Sequence, residues 1–131
     1  MDPAQALWID GRDSGCRVGL ANRWRSRAIG LLATRRLDRL DGLWLSPCAA
    51  VHMAGMAYAL DVVFLDRSGC VLRVVPGLRP WAAAVCRGAH QTLELRAGLA
   101  ADLAIRSGSR LALSAPPPAP SAAPPAPAPA R

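Results

Sequence analysis

The sequence predicts a compact, mainly β or α+β domain, folded as a small barrel or a strongly bent sheet with one or two short helices. Three observations predict it. Short apolar segments recur along the chain, and turn residues separate them. Residues 61–65 and 70–75 are rich in β-branched side chains and flank Asp66-Arg67-Ser68-Gly69, a turn that predicts a β-hairpin. Only two segments have the pattern of a short helix.

The elements follow from these patterns in chain order. Residues 10–15 are predicted to form a turn-rich loop, and Pro76-Gly77 is predicted to end the hairpin. Asn22 or Ser26 is predicted to cap a helix that runs to Leu32, because both residue types accept hydrogen bonds from the first helical N–H groups. A second helix is predicted over residues 97–104. The predicted strands are residues 7–9, 17–21, 43–45, 51–53, 61–65, 70–75, 82–86, 91–95 and 111–113.

The chain divides into a folded body, residues 1–113, and a tail, residues 114–131. Eight of the twelve prolines lie in the tail, which otherwise contains only Ala, Ser and one Arg. Because proline fixes φ and removes the backbone donor, the tail is predicted to be a disordered, semi-rigid extension. Its function is either that of a ligand for a proline-recognising module or that of a spacer; the alternative is a passive tail with no partner.

Composition and charge pattern predict the location of the protein and argue against a membrane span. The chain has 16 arginines, no lysine and 9 carboxylates, a formal charge of +7. No signal peptide is seen at the N-terminus, so the predicted location is cytoplasmic. The uncharged run 43–60 contains Pro47 and Gly55, which favours core strands over a transmembrane span. Four widely spaced cysteines are predicted to be reduced thiols.

The order of several motifs resembles the domain of unknown function 192 family. The Leu-Asp-Val-Val-Phe-Leu-Asp stretch at residues 60–66 is the most specific of them. The resemblance covers about residues 17–113. The other matching segments are residues 27–32, 42–45, 52–56, 69–75, 80–81, 93–98 and Gly108.

The resemblance implies a compact β-rich fold with helical pieces and no established reaction. The sequence departs from the family at residues 53–56, where Met53-Ala54-Gly55-Met56 replaces the frequent Met-Lys-Asn-Thr cluster. With His52 before it, this segment is more similar to a branch with a His-Thr-Phe-Gly-Met pattern. Ala59 replaces the usual proline, and Ser109 replaces the usual aspartate. Many relatives carry a signal peptide.

The first functional hypothesis is a non-catalytic binding or accessory domain. It is predicted to act as a monomer, without a cofactor, on a protein or small-molecule partner. Asp61 lies between apolar residues, so its carboxylate must be hydrogen-bonded or paired. One interpretation is structural, with this carboxylate satisfying backbone donors at the start of a strand. The functional alternative is an acid, base or polar anchor in a pocket, with His52 as its partner. The predicted functional surface consists of His52, Met53, Gly55, Met56, Asp61 and Trp81.

A second hypothesis is a metal-dependent or hydrolytic enzyme. Each histidine follows a cysteine by four residues, Cys48 with His52 and Cys86 with His90. Two thiolates and two imidazoles can complete a tetrahedral zinc site. However, four residues of extended strand span about 13 Å, so a bend would be needed within each pair. With Asp61 added, these are the candidate residues for catalysis. No motif of a known enzyme class is present.

A third hypothesis is electrostatic binding of nucleic acid or an anionic surface. Six arginines lie close together in the sequence around the first predicted helix, with Trp24 as the only aromatic residue nearby. A basic cluster attracts phosphates, but base stacking needs interleaved aromatics, so the sequence does not favour a nucleic-acid partner. The cluster consists of Arg23, Arg25, Arg27, Arg35, Arg36 and Arg39.

Overall fold

A computed structural model of the chain describes residues 4–22 and 40–114. The predicted first helix, the arginine cluster and residues 115–131 of the predicted tail lie outside these ranges. In chain order the strands are β1 (Gln5–Ile9), β2 (Arg12–Asn22), β3 (Gly42–Ser46), β4 (Ala50–His52), β5 (Leu60–Leu65), β6 (Val71–Leu78), β7 (Ala83–Val85), β8 (Gln91–Arg96) and β9 (Leu111–Ser114); one short helix, α1 (Leu99–Asp102), lies between β8 and β9.

Seven of these strands form one sheet in the order β6-β5-β8-β3-β2-β1-β9, while β4 and β7 pair separately. Every pairing is antiparallel except that of β2 with β3. The mainly β prediction is therefore confirmed. Of the two shapes predicted, the bent sheet is observed, because no continuous ladder joins the edge strands β6 and β9.

The two edge strands nevertheless meet at one corner. Cys70 and Arg110 form an isolated antiparallel bridge. Beside it, Leu111 donates its N–H to the Gly69 carbonyl at 2.8 Å, and Val71 donates to the Ser109 carbonyl at 2.8 Å. The sheet therefore curls until its edges touch without closing into a barrel.

The curled sheet encloses the main hydrophobic core. Leu7, Val63, Leu93 and Leu111 are buried there, although they come from strands across the whole width of the sheet. Ala100 of α1 packs into the same cluster. The helix is shorter than predicted because Leu103 and Ala104 leave helical geometry, with φ of 56° at Ala104.

A second apolar cluster lies on the other face of β5. Leu60, Val62 and Phe64 point into it, while Val63 and Leu65 point into the main core. Because successive strand residues face opposite sides, a strand covered on both faces is apolar almost throughout, and all six residues of β5 are buried. The small β4–β7 sheet covers this second cluster, through Val51 and Ala84.

Two turn predictions were wrong. Residues 10–15 were predicted to form a loop, but β2 begins at Arg12, because Asp10 and Gly11 both adopt positive φ and turn the chain within two residues. Pro76-Gly77 was predicted to end the hairpin, but β6 continues to Leu78. β6 is an edge strand, where a missing proline donor is tolerated.

The contact between Gly69 and Leu111 generates a prediction about stability. A Cβ on Gly69 would lie 2.3 Å from the Leu111 carbonyl oxygen, whereas a Cβ on Gly88 would meet nothing within 4 Å. The two glycines have nearly the same φ, 89° and 86°. Both substitutions to alanine incur the same conformational strain, but only Gly69→Ala adds a backbone clash.

We therefore expect Gly69→Ala to lower the free energy of unfolding by about 2 kcal/mol more than the control Gly88→Ala does. Urea denaturation of both variants measures the difference. Equal losses would show that the edges of the sheet are not held at this corner.

Candidate functional site

Asp61 lies in the middle of the fold, on β5, and is only 1% exposed. Its carboxylate accepts three backbone N–H groups. One oxygen accepts from Gly77 at 2.9 Å, and the other accepts from Gly98 at 3.0 Å and Ala100 at 2.9 Å. These three donors compensate for the burial of the carboxylate. The surroundings of Asp61 therefore agree with the structural interpretation, in which it satisfies backbone donors.

Asp61 and His52 do not share a pocket. Asp61 alternates with Val62 and therefore shares the face of Val63, toward the main core, whereas β4 covers the opposite face of β5. His52 is exposed, and its cross-strand partner is Ala83. The predicted acid–base pair between this carboxylate and this imidazole is therefore not formed.

The other residues of the predicted surface divide by burial. Met53 is 1% exposed and Met56 is 7% exposed, and both belong to the second apolar cluster. Gly55 is exposed at a turn with φ of 81°. Trp81 is 77% exposed. Of the six predicted surface residues, His52, Gly55 and Trp81 face solvent.

The turn that carries Trp81 is clamped to Met53 through the backbone. The N–H of Trp81 donates to the Met53 carbonyl at 3.0 Å, and the N–H of Met53 donates to the Ala82 carbonyl at 2.8 Å. Ala82 in turn donates to Arg79 at 3.1 Å. Trp81 adopts a φ of 68°, which is strained for a bulky side chain. The indole is thus held outward by a defined backbone conformation.

The β4–β7 sheet, whose strand β7 begins two residues after Trp81, also has exposed residues. Val85 is 60% exposed, and Ala50, His52 and Ala83 are exposed as well. They form two directly opposed pairs, Ala50 with Val85 and His52 with Ala83. We call this surface the docking face; it consists of Ala50, His52, Trp81, Ala83 and Val85.

The structure does not bring the cysteines and histidines of the metal hypothesis together in one cluster. Cys48 and Cys86 pack against the second apolar cluster, whereas His52 points away from it. Within residues 4–22 and 40–114, no group of three or more His, Cys, Asp or Glu side chains is placed to hold a metal ion. The four cysteines are free thiols, and burial raises the pKa of the Cys16 thiol.

His90 lines a shallow cavity of about 580 Å³ between the β5–β6 and β7–β8 turns. Asp66, Arg67 and Ser68 form the opposite wall. The Asp66 carboxylate accepts from the Ser68 hydroxyl at 2.6 Å and from the Cys70 N–H at 3.0 Å, which lowers the pKa of Asp66. This carboxylate therefore serves mainly to close the hairpin turn.

Glu94 is the titratable residue that sequence reasoning missed. It is the chain's only glutamate and lies on β8 between Leu43 of β3 and Val62 of β5. Burial raises the pKa of Glu94 to about 7. In the sequence, Glu94 alternates with Leu93 and Leu95, which face the main core. This alternation indicates only that the Glu94 side chain lies on the other face of β8. The sequence could not predict that apolar strands lie on both sides of Glu94, because this depends on the order of strands in the sheet.

The fold and site together define a class: a bent, mainly antiparallel sheet with a small accessory sheet, held by a buried carboxylate. The family model of DUF192, described as "Uncharacterized ACR", matches residues 6–113. The chain therefore belongs to this family. No curated protein matches the sequence. No helix among the described residues has the length and apolar character needed to cross a membrane.

Two solved structures are similar to this chain. One, from Novosphingobium aromaticivorans DSM 12444, is a protein of unknown function with 25% identity and a TM-score of 0.67; the match covers 83% of this chain and 84% of that one. The other, from Sinorhizobium meliloti 1021, is described as a "putative transcription regulator"; it has 23% identity and a TM-score of 0.70, with 85% and 94% covered.

The hydrogen bonds of Asp61 predict a large loss of stability when the carboxylate is removed. Asp61→Ala leaves the buried N–H of Ala100 and the part-buried N–H groups of Gly77 and Gly98 without an acceptor, so we expect a loss of about 3 kcal/mol or more in the free energy of unfolding. Asp61→Asn keeps one acceptor oxygen and should lose about half as much. Chemical denaturation of both variants tests this, with the exposed Asp102→Asn as control. A loss below about 1 kcal/mol for Asp61→Ala would contradict the structural role.

Glu94 predicts a pH dependence of stability. Its pKa in the folded chain is about 7, above the ordinary 4.5. The neutral form is favoured by folding, so its contribution is complete below pH 4.5 and is lost as the pH rises through about 7.

Glu94→Gln cannot ionise and removes this loss. Between pH 5 and pH 8 the variant should therefore gain about 2 kcal/mol relative to the wild type. All other ionisable groups are common to the two proteins, so their contributions cancel in this difference. Thermal and urea unfolding across the pH range measure it, and Asp102→Asn should follow the wild type. Parallel pH profiles for Glu94→Gln and wild type would disprove the assignment.

Proposed function

We propose that this chain is a non-catalytic binding domain whose docking face engages an extended polypeptide segment. The observation that carries the proposal is Trp81, a large aromatic side chain that is 77% exposed and held in a strained conformation. Strain of about 1–3 kcal/mol at one residue is often found where the conformation serves a function. Trp side chains are also frequent centres of binding energy in protein interfaces.

The shape of the docking face favours a polypeptide over a small molecule. Small ligands bind in concave pockets that bury most of their surface. Ala50, His52, Ala83 and Val85 instead lie on the outer side of a two-stranded sheet. The cavity lined by Asp66 and His90 lies at a different place, between the β5–β6 and β7–β8 turns. A sheet surface with exposed apolar side chains and one exposed indole suits a partner chain that lays apolar side chains across it.

The remaining residues of the sequence-predicted surface support the docking face from beneath. Met53 and Met56 fill the cluster on which the β4–β7 sheet rests, and Met53 also holds the Trp81 turn through two backbone hydrogen bonds. Gly55 allows the turn between them, with φ of 81°. In this proposal these residues position the face, and Asp61 stabilises the sheet below it.

A displayed library of random 12-residue peptides tests the proposal, followed by measurement of Kd for one synthetic peptide from the selected set. Because truncating a central interface tryptophan costs about 2 kcal/mol or more, we expect Trp81→Ala to weaken binding at least about 30-fold.

The matched control is Leu72→Ala, which truncates another exposed apolar side chain, 38% exposed, on β6. It should leave Kd unchanged, and both variants should unfold at the wild-type denaturant concentration. A library without enriched binders, or a Trp81→Ala variant with wild-type affinity, would refute the proposed function.

A further inference from the structure

Three exposed arginines lie next to the docking face, and none of them forms an ion pair with a carboxylate of residues 4–22 or 40–114. Arg79 lies two residues before Trp81, and Arg87 lies two residues after Val85; both are exposed. Arg73 of β6 donates a guanidinium N–H to the Val85 carbonyl at 3.1 Å, so its positive charge also lies at the end of β7. We call Arg73, Arg79 and Arg87 the arginine rim.

Carboxylates are few in the part of the chain that forms the docking face and the arginine rim. The sequence from Arg67 to Leu93 contains no Asp or Glu, and the sequence from Gly42 to Leu60 contains no charged residue. Of the two aspartates between these segments, Asp61 is buried against backbone donors, and Asp66 is engaged in its own turn. In the described ranges the ion pair present is that of Arg96 with Asp41, which does not involve the rim.

The distribution of charge selects the chemistry of the partner. A face with an apolar centre and a rim of one charge sign is complementary to a segment with apolar side chains between charges of the opposite sign. Guanidinium groups bind carboxylates through paired N–H donors, which favours Asp and Glu on the partner. Each such exposed pair contributes little alone, about 1.4-fold to fivefold in affinity, but several pairs add and set selectivity.

We infer that the docking face binds an acidic polypeptide segment, in which one apolar or aromatic side chain packs on Trp81 and flanking carboxylates pair with the arginine rim. This inference rests on the proposed function and names its partner class. It differs from the electrostatic hypothesis made from sequence, which used the arginines between positions 23 and 39. It also assigns a role to arginines that the sequence did not distinguish.

The experiment uses the full chain and two synthetic 12-residue peptides, one with a central Trp flanked by Glu and Asp, and one with Gln and Asn at those positions. Fluorescence anisotropy at low salt measures Kd for each. We expect the acidic peptide to bind at least about tenfold more tightly. Because exposed ion pairs are screened, raising the salt to 0.5 M should remove most of that difference.

Charge variants localise the interaction. Arg79→Gln with Arg87→Gln should weaken binding of the acidic peptide about tenfold and leave the Gln/Asn peptide unaffected. The matched control, Arg12→Gln with Arg106→Gln, removes the same charge from exposed positions outside the face and should change Kd less than twofold. Equal effects of the two double variants would overturn the inference, since only net charge would then matter.

The alternatives give distinct results. A 12-nucleotide single-stranded DNA that binds more tightly than the acidic peptide, with dependence on Trp81, would replace the polypeptide by a nucleic acid, because indole rings stack on bases and arginines bind phosphates. If library peptides bind through Trp81 without acidic enrichment, the proposed function stands and this inference fails. If no peptide depends on Trp81, both fail.

Discussion

The carboxylate of Asp61 joins three parts of the chain that are distant in sequence. It extends from β5, accepts the N–H of Gly77 in the bend of β6, and accepts two N–H groups at the start of α1. A buried charge without such donors would be costly, and N–H groups without an acceptor would be costly too. The carboxylate and the N–H groups therefore require each other. Their hydrogen bonds hold both the edge strand β6 and the helix α1 against β5.

The placement of the docking face depends on this arrangement through β5. One face of β5 packs into the main core that Asp61 helps to close, and the other face packs against Met53 and the β4–β7 sheet. Met53 then holds the turn of Trp81 by backbone hydrogen bonds. A continuous path of packed and hydrogen-bonded groups thus connects the buried carboxylate with the exposed indole, although they lie on opposite sides of the large sheet.

Much of the fold could be predicted from the sequence, because local patterns encode strands. The β5–β6 hairpin and the positions of most strands follow from β-branched runs and the Asp66–Gly69 turn. The site could be predicted only partly. Alternation could not show that Met53 and Met56 face inward while His52 faces outward, since that requires the packing of β4 on β5. The raised pKa of Glu94 depends on its neighbours in two other strands, which sequence spacing does not reveal.

The order of strands has a consequence for synthesis of the chain. β1 lies between β2 and β9, so residues 6–9 pair with residues 111–114, which are synthesised much later. Until β9 emerges, one edge of β1 presents unpaired N–H and C=O groups, and the corner at Gly69 lacks Leu111. The sheet can therefore be completed only after β9 has been translated, and until then this open edge can serve as a template for pairing with other chains.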